Sequence, residues 1–163
     1  MSGFADLFSA NKEFVKNFKS QDLTGQARKG LAIVTCMDSR IDPLRIVGMA
    51  PGDAKILRNA GARITEDVLR TLVLATHLLN VSRVLVMPHT DCKMASGSEE
   101  EIHAMIKEQS GLDTRSIEIR TVTDQLAALK SDLTRIKSFP FLPKELQIVG
   151  AIYDVKSGVL KEI

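Results

Sequence analysis

The sequence predicts a single α/β domain over residues 1–163, with a mainly parallel central β-sheet flanked by helices. A chain of 163 residues with 44% hydrophobic content is long enough to bury one core. Segments of strand and helix character alternate along it, which is typical of parallel sheets. The clearest strand candidates are short, continuously apolar runs, as expected for strands that are covered on both faces.

The N-terminal residues predict a helical arm ahead of the sheet, which we assign to residues 1–24. Four of the six phenylalanines of the chain lie in this arm. A helix of this composition needs an apolar surface to cover, either in its own chain or in a partner. A polar loop from Gly25 to Gly30 follows it. The apolar side chains that recur at helical spacing are Phe4, Leu7, Phe8, Phe14, Val15 and Phe18.

Six segments predict the strands. Leu31–Thr35 is apolar almost throughout and indicates a strand buried on both faces. Ser116–Arg120 alternates between polar and apolar residues, which predicts a further, half-buried strand. The others are Ala54–Leu57, Val84–Met87 before Pro88, Leu146–Val155, and a short last strand after a turn at 156–158.

Capping residues mark where the predicted helices begin. Thr65 is expected to cap one helix, and Ser98 with Glu101 forms a capping box for another. Asp42 precedes Pro43, which favours a capping role for this aspartate over a catalytic one. The apolar positions of three helices are Val68, Leu72, Ala75 and Leu79; Ile102, Met105 and Ile106, with Gly111 just beyond; and Leu126, Leu129, Leu133 and Ile136.

Composition narrows the range of partners. The formal net charge is +2, and the 22 basic and 20 acidic residues are interspersed, so no nucleic-acid-binding patch is predicted. No apolar run approaches the roughly 18 residues of a membrane span, and the N-terminus shows no secretory signal. We therefore expect a cytoplasmic protein with no nucleic-acid or membrane partner, whose two cysteines remain thiols.

Two short clusters of reactive residues follow the first and third predicted strands. They read Cys-Met-Asp-Ser-Arg over Cys36–Arg40 and His-Thr-Asp-Cys over His89–Cys92. Ligands gather at the carboxyl ends of parallel strands, so neighbouring strands would bring both clusters together. Two thiolates and one imidazole form a typical zinc ligand set, and an open fourth position distinguishes catalytic from structural zinc. A Cys36–Cys92 disulfide is the alternative that a reducing compartment disfavours.

The charge of such a site indicates a role for Asp38 and Arg40. Zinc with two thiolates is formally neutral, so it acidifies a bound water less than a site with three histidines would. Asp38 can accept a hydrogen bond from the activated water, and Arg40 can hold Asp38 through a paired contact. If that pair breaks, Asp38 can become the fourth zinc ligand and close the site. The alternative is an ordinary surface ion pair.

Other polar residues carry weaker functional hypotheses. His77 and His103 could shuttle protons, but we expect ordinary, partly exposed histidines. Asp91 could be catalytic, but we expect a loop or capping role for it. Lys93 either steers an anionic product or is simply solvated. A phosphatase or sulfurtransferase loop would need an arginine six positions after the cysteine. That position is Asp42, which excludes this class.

Three blocks of the chain resemble the β-class carbonic anhydrases, in order and in separation: Cys36–Arg40, Arg58–Gly61 and His89–Cys92. The resemblance runs from about residue 32 to the C-terminus. It implies the reversible hydration of carbon dioxide to bicarbonate, with one Zn²⁺ per subunit on Cys36, His89 and Cys92 and an Asp38–Arg40 dyad in catalysis. It also implies a homodimer, often paired into a dimer of dimers, with active sites at the interface and the N-terminal arm over the partner.

The chain departs from that family in three ways. It is short, it carries Lys93 where the family usually has glycine, and it has no tryptophan, so the bicarbonate inhibitory pocket of some members is not expected. Short chains of this kind resemble a branch that includes carbonyl sulfide and carbon disulfide hydrolases, which gives a second hypothesis. A non-catalytic zinc protein is the third. Carbon dioxide hydration and carbonyl sulfide hydrolysis both need a small apolar pocket, and Ala60 and Gly61 are candidate substrate-binding walls of that pocket.

Overall fold

The structure is a computed structural model that describes residues 3–19 and 22–163. Residues 1, 2, 20 and 21 of the predicted N-terminal arm therefore lie outside the described residues. The remainder of the arm contains the first helix, whose described side chains are all exposed to solvent. Within the described ranges, no helix is both long and apolar enough to cross a membrane.

The predicted mainly parallel sheet is confirmed. It has five strands in the order β2-β1-β3-β4-β5, of which the first four are parallel and the last pairs antiparallel with β4. The central strand β1 is buried along its whole length, as its apolar run predicts. The strands are β1 (Leu31–Cys36), β2 (Ala54–Asn59), β3 (Arg83–Met87), β4 (Gln147–Tyr153) and β5 (Leu160–Glu162).

Helices begin at the predicted caps. Thr65 accepts a hydrogen bond from the Val68 amide, Ser98 and Glu101 form the capping box, and Asp42 caps the short helix that starts at Pro43. The helices are α1 (Ala5–Asn17), α2 (Pro43–Ile46), α3 (Glu66–Leu78), α4 (Glu99–Ser110) and α5 (Gln125–Lys137).

Two apolar clusters cover the two faces of the sheet. The larger one packs α3 and α5 against β1 and β3, and includes Leu72 and Ile136. The smaller one includes Ile33, Met87 and both cysteines, together with partly buried side chains of the segment that contains α2. The reactive cysteines therefore belong to the face of the sheet that the chain covers less completely.

The predicted strand at Ser116–Arg120 is wrong. The segment is irregular and makes no strand pairing. The carboxylate of Glu99 accepts hydrogen bonds from the Ile119 amide at 2.7 Å and the Arg120 amide at 3.2 Å. Arg120 also has a φ of +64°, which ends any extended run. A side chain thus satisfies the backbone donors that a neighbouring strand would otherwise have engaged.

Candidate metal centre

Cys36, His89 and Cys92 meet at the carboxyl ends of β1 and β3, as predicted. Cys36 is the last residue of β1, and the register pairs Thr35 with Met87 at the end of β3. The two sulfurs lie 3.9 Å apart as free thiols, so the disulfide alternative is not what the structure shows. All three side chains are buried, and their ligand atoms lie within 4.8 Å of one another.

The His89 ring is oriented for metal binding. Its Nδ1 lies 2.8 Å from the Thr90 carbonyl oxygen, so Nδ1 carries the proton and Nε2 is left as the lone-pair donor. Nε2 is fully buried and has no hydrogen-bond partner among the described residues. A buried polar atom without a partner is costly, which a bound cation would remedy. Two thiols and this nitrogen fit Zn²⁺.

Contacts from the last parallel strand and from α5 support the loop that carries His89. Gln125, the first residue of α5, donates its side-chain N–H to the His89 carbonyl at 2.7 Å. The Thr90 amide donates to the Tyr153 carbonyl at 2.9 Å, and the Thr90 hydroxyl accepts from the Val155 amide at 3.2 Å. The sequence analysis missed Gln125, because no local pattern joins it to a residue 36 positions away.

The surroundings of the two thiols differ. Burial, with a smaller contribution from the nearby Cys36, raises the pKa of Cys92 to about 11. Metal binding must therefore displace a proton from Cys92. The Gly61 amide lies 3.4 Å from the Cys36 sulfur and donates to it. Gly61 has a φ of +79°, a conformation that glycine adopts without strain.

Asp38 and Arg40 form a two-pronged ion pair beside the ligands. Arg40 Nε donates to Asp38 Oδ1 at 2.9 Å and Nη2 donates to Oδ2 at 2.7 Å. These contacts hold the pKa of Asp38 far below its usual value and raise the pKa of Arg40. Asp38 Oδ2 is also 3.8 Å from His89 Nε2. The carboxylate is thus engaged by Arg40, and its role as a fourth ligand stays a prediction.

Asp91 is a second carboxylate on Arg40, a contact that the sequence analysis did not predict. Its Oδ2 accepts from Arg40 Nη1 at 2.7 Å, and its backbone carbonyl accepts from Nη2 at 3.0 Å. Asp91 adopts a φ of +55°, which turns both groups toward the guanidinium; aspartate tolerates this conformation better than most residues. The loop role expected for it is therefore joined by an electrostatic one.

Arg58 fixes the backbone of the first ligand loop. Its guanidinium donates to the carbonyl oxygens of Cys36 at 2.9 Å, Asp38 at 2.5 Å and Ile41 at 3.2 Å. The side chain of the next residue, Asn59, donates a hydrogen bond to the Arg63 carbonyl at 2.7 Å and accepts one from the Arg63 amide at 2.8 Å. The Arg-Asn pair of the sequence therefore organises the loops on either side of β2.

Of the two predicted substrate walls, Gly61 borders a small cavity next to Cys92, but Ala60 is not part of its lining. The cavity lies between the turn that follows β2, the loop after Cys92 and α5. A buried ion pair, Arg63–Asp132, closes one side, with Arg63 Nε 2.7 Å from Asp132 Oδ2. Its other lining residues include Met94, Val122 and Leu129.

The remaining histidines and Lys93 lie apart from the ligand cluster. His77 is exposed and its Nε2 contacts the Phe141 carbonyl at 2.9 Å. His103 is buried rather than partly exposed, because its Nδ1 bonds the Thr114 hydroxyl at 2.8 Å and α4 packs it inward. Lys93 is exposed, and its ammonium approaches the Met105 sulfur at 3.8 Å.

Comparisons with known proteins agree with this geometry. The sequence model of the carbonic anhydrase family matches residues 31–160. β-Carbonic anhydrase 1 of Mycobacterium tuberculosis is 33% identical over 159 residues, which cover 97% of this chain and 96% of that protein. The crystal structure of a carbonic anhydrase from Streptococcus mutans superposes with a TM-score of 0.92 at 36% identity, covering 100% of this chain and 98% of that one. A carbon disulfide hydrolase of Acidithiobacillus thiooxidans is 24% identical over 161 residues, which cover 84% of this chain and 74% of that protein.

Proposed function

The chain belongs to the β-carbonic anhydrase family, and from this membership we propose that it catalyses the reversible hydration of carbon dioxide to bicarbonate and a proton. One observation carries the proposal. The buried lone pair of His89 Nε2 faces two thiols and lies 3.8 Å from an arginine-held carboxylate. Three metal ligands thus lie next to the Asp38 carboxylate, which can accept a hydrogen bond from a water molecule at a fourth coordination position.

Cys36, His89 and Cys92 would hold one Zn²⁺ per subunit. When bound, zinc supplies a Lewis acid that makes an attacking water nucleophilic near neutral pH. The protein contributes the orientation of its ligands: the Thr90 carbonyl sets the His89 tautomer, and Gln125 anchors the backbone of His89.

Asp38 acts as a hydrogen-bond acceptor for the attacking water. Arg40 keeps the pKa of Asp38 far below the usual value, so Asp38 is ionised at any physiological pH. An ionised carboxylate can accept hydrogen bonds but cannot donate one. Its Oδ1 is shared between the Arg40 backbone amide and Nε, whereas Oδ2 also faces the ligand cluster. Asp38 thereby directs a lone pair of the water toward the substrate carbon.

The apolar substrate needs a pocket whose hydrogen-bond donors are already engaged, and the small cavity beside Cys92 would supply one: Arg63 pairs with Asp132, and Gln125 donates to the His89 carbonyl. Gly61, Met94 and Val122 line the cavity, and Gly61 leaves room because a Cβ there would lie 3.2 Å from Met94 Cβ. The Arg63–Asp132 pair at its edge is already neutralised, so it does not bind the anionic product in competition with the metal site.

Asp38→Asn tests the function. We expect the variant to retain zinc and to lose activity by about 100-fold or more, since the neutral amide forms a weaker pair with Arg40 and offers water an N–H in place of an acceptor. Stopped-flow measurement of the pH change on mixing with carbon dioxide gives the rate, and elemental analysis gives the zinc content. Asp113→Asn is the matched control, because Asp113 holds Arg115 in the same manner away from the site. Unchanged turnover in Asp38→Asn would remove the pair from the mechanism.

Hydrolysis of carbonyl sulfide or carbon disulfide is the second candidate, favoured by the likeness to a carbon disulfide hydrolase. It would use the same water, the same ligands and the same pocket. Sulfide release from each compound, set against carbon dioxide hydration by the same preparation, decides between them. Rapid sulfide release with negligible hydration would reverse the order. A zinc-loaded protein inactive in all three assays would support a non-catalytic role.

The protein is proposed to act as a homo-oligomer, a dimer or a dimer of dimers. Helix α1 exposes a row of apolar side chains, including Phe8 at 68% and Phe14 at 61%. Val149 of β4 is 42% exposed, although parallel sheets are normally covered on both faces. Exposed apolar surface of this extent is typical of an interface. The two free thiols favour a cytoplasmic location, where reducing conditions preserve them for the metal.

A further inference from the structure

Arg40 is shared by carboxylates from both ligand loops. Its Nε and Nη2 reach Asp38 on its own loop, at 2.9 and 2.7 Å. Its Nη1 reaches the Asp91 carboxylate at 2.7 Å, and Nη2 also reaches the Asp91 carbonyl at 3.0 Å, on the loop that carries His89 and Cys92. The guanidinium therefore joins the two loops that carry the candidate metal ligands.

A second Asp-x-Arg sequence in the chain shows what the local contact does without Asp91. Asp113 accepts from the Arg115 amide at 3.1 Å, from Nε at 2.9 Å and from Nη2 at 2.5 Å, which matches the pairing of Asp38 with Arg40. Within the described part of the chain, Arg115 hydrogen-bonds no other residue. The two-pronged pair thus forms locally by itself. The contacts from Asp91 are an addition found at the reactive site.

The location of Asp38 explains why a second contact on Arg40, from Asp91, is useful. Its Oδ2 lies 3.8 Å from the ligand atom of His89, so a cation at the cluster would compete with Arg40 for this carboxylate. Arg40 is 45% exposed and carries a long side chain, whose rotamer freedom opposes pairing. A second anchor that fixes the guanidinium in place removes part of that entropic cost.

The two carboxylates do not compete for the same N–H groups. The Asp38 carboxylate takes Nε and Nη2, whereas the Asp91 carboxylate takes Nη1. The Asp91 side chain is 65% exposed, so solvent screens its repulsion of Asp38. The net effect of Asp91 is therefore to hold Arg40 rather than to withdraw it.

We propose that Asp91 is a positioning residue that holds Arg40 against Asp38 and so keeps Asp38 away from the metal. This inference rests on the proposed function. Because Asp91 is exposed, its effect is modest: we expect its loss to raise the fraction of molecules with a broken Asp38–Arg40 pair roughly two- to fivefold.

Arginine side-chain NMR of the zinc-loaded protein tests the inference directly. The Arg40 Nε–H donates to Asp38, so its hydrogen exchange with water requires the pair to open. In Asp91→Asn this exchange should accelerate roughly two- to fivefold, and kcat should fall by up to the same factor with zinc content unchanged. The Arg115 Nε–H serves as an internal reference in each sample, because Asp91 does not touch it. Asp91→Gly, which also tolerates the positive φ, repeats the test should the first variant be poorly folded.

Asp113→Asn is the matched control variant. It should accelerate exchange at Arg115 and leave Arg40 and kcat unchanged. Unchanged Arg40 exchange in both Asp91 variants would overturn the inference, as would a loss of zinc, because Asp91 would then act on the ligand loop itself. If the zinc-loaded native protein neither hydrates carbon dioxide nor releases sulfide, the proposed function fails. The exchange measurement would still decide the role of Asp91.

Discussion

Removal of Asp132 tests whether the buried ion pair beside the cavity supports the fold around the site. Asp132 is 6% exposed and Arg63 is 21% exposed, with Nε–Oδ2 at 2.7 Å and Nη2–Oδ1 at 3.4 Å. Asp132→Ala would leave the largely buried Arg63 charge without its partner. Breaking such a pair typically costs about 3–5 kcal/mol. Arg63 retains some solvent and a weak contact with the Arg120 carbonyl, so we expect about 3 kcal/mol, near the lower end.

This loss corresponds to a fall in melting temperature of about 6–12 °C for a chain of this length. Thermal and urea unfolding should be followed at a fixed, saturating zinc concentration, because a bound metal adds its own stability. Exchanging both partners, in Arg63→Met combined with Asp132→Leu, should recover most of the loss, since apolar residues of similar volume replace the pair without leaving a charge.

Asp113→Ala is the control for this measurement. Asp113 pairs with Arg115 at side-chain exposures of 46% and 74%, so its removal should leave the melting temperature nearly unchanged. The reasoning is refuted if Asp132→Ala behaves like this control, or if the double variant is less stable than Asp132→Ala alone.

Two further predictions concern the thiols. Cys92→Ser should abolish stoichiometric zinc, because a hydroxyl is a poor substitute for a thiolate; full occupancy by elemental analysis would contradict the ligand assignment. In the metal-free protein, burial raises the pKa of Cys92 to about 11, whereas an unfolded cysteine titrates near about 8.5. The folded state therefore holds this proton more tightly, and its contribution to stability is complete below about pH 8.5 and is lost as the pH rises toward 11. Unfolding of the metal-free protein between pH 8 and 11, compared with Cys92→Ser, should show an extra decline in the native chain; parallel curves would argue against a raised pKa.

The ligand cluster could be predicted from sequence because it depends on strand direction. Short apolar runs end at Cys36 and shortly before His89, and parallel neighbours place such ends side by side. The caps at Thr65 and Ser98 were predictable for a similar reason, since each cap acts on an amide three residues away. Both kinds of feature are set by residues close together in the chain or by strand order alone.

The features that the sequence did not predict are contacts between residues far apart in the chain. The alternation at Ser116–Arg120 is typical of a half-buried strand, but Ile117 is 56% exposed and the Glu99 carboxylate accepts the hydrogen bonds of the Ile119 and Arg120 amides. The contacts of Gln125 with His89 and of Asp91 with Arg40 span 36 and 51 residues, and each depends on how loops pack at the end of the sheet. Periodicity carries no information about such contacts.

The contacts of Arg58 with the loop after β1 allow the sequence of that loop to vary at its exposed positions. Arg58 binds three main-chain oxygens, and every amino acid supplies one, so the course of the loop does not depend on which side chains stand at positions 37 and 39. Met37 already projects outward, with 67% of its surface in solvent. Positions 37 and 39 should therefore accept new side chains without a change in the course of the loop, since Arg58 contacts main-chain oxygens only.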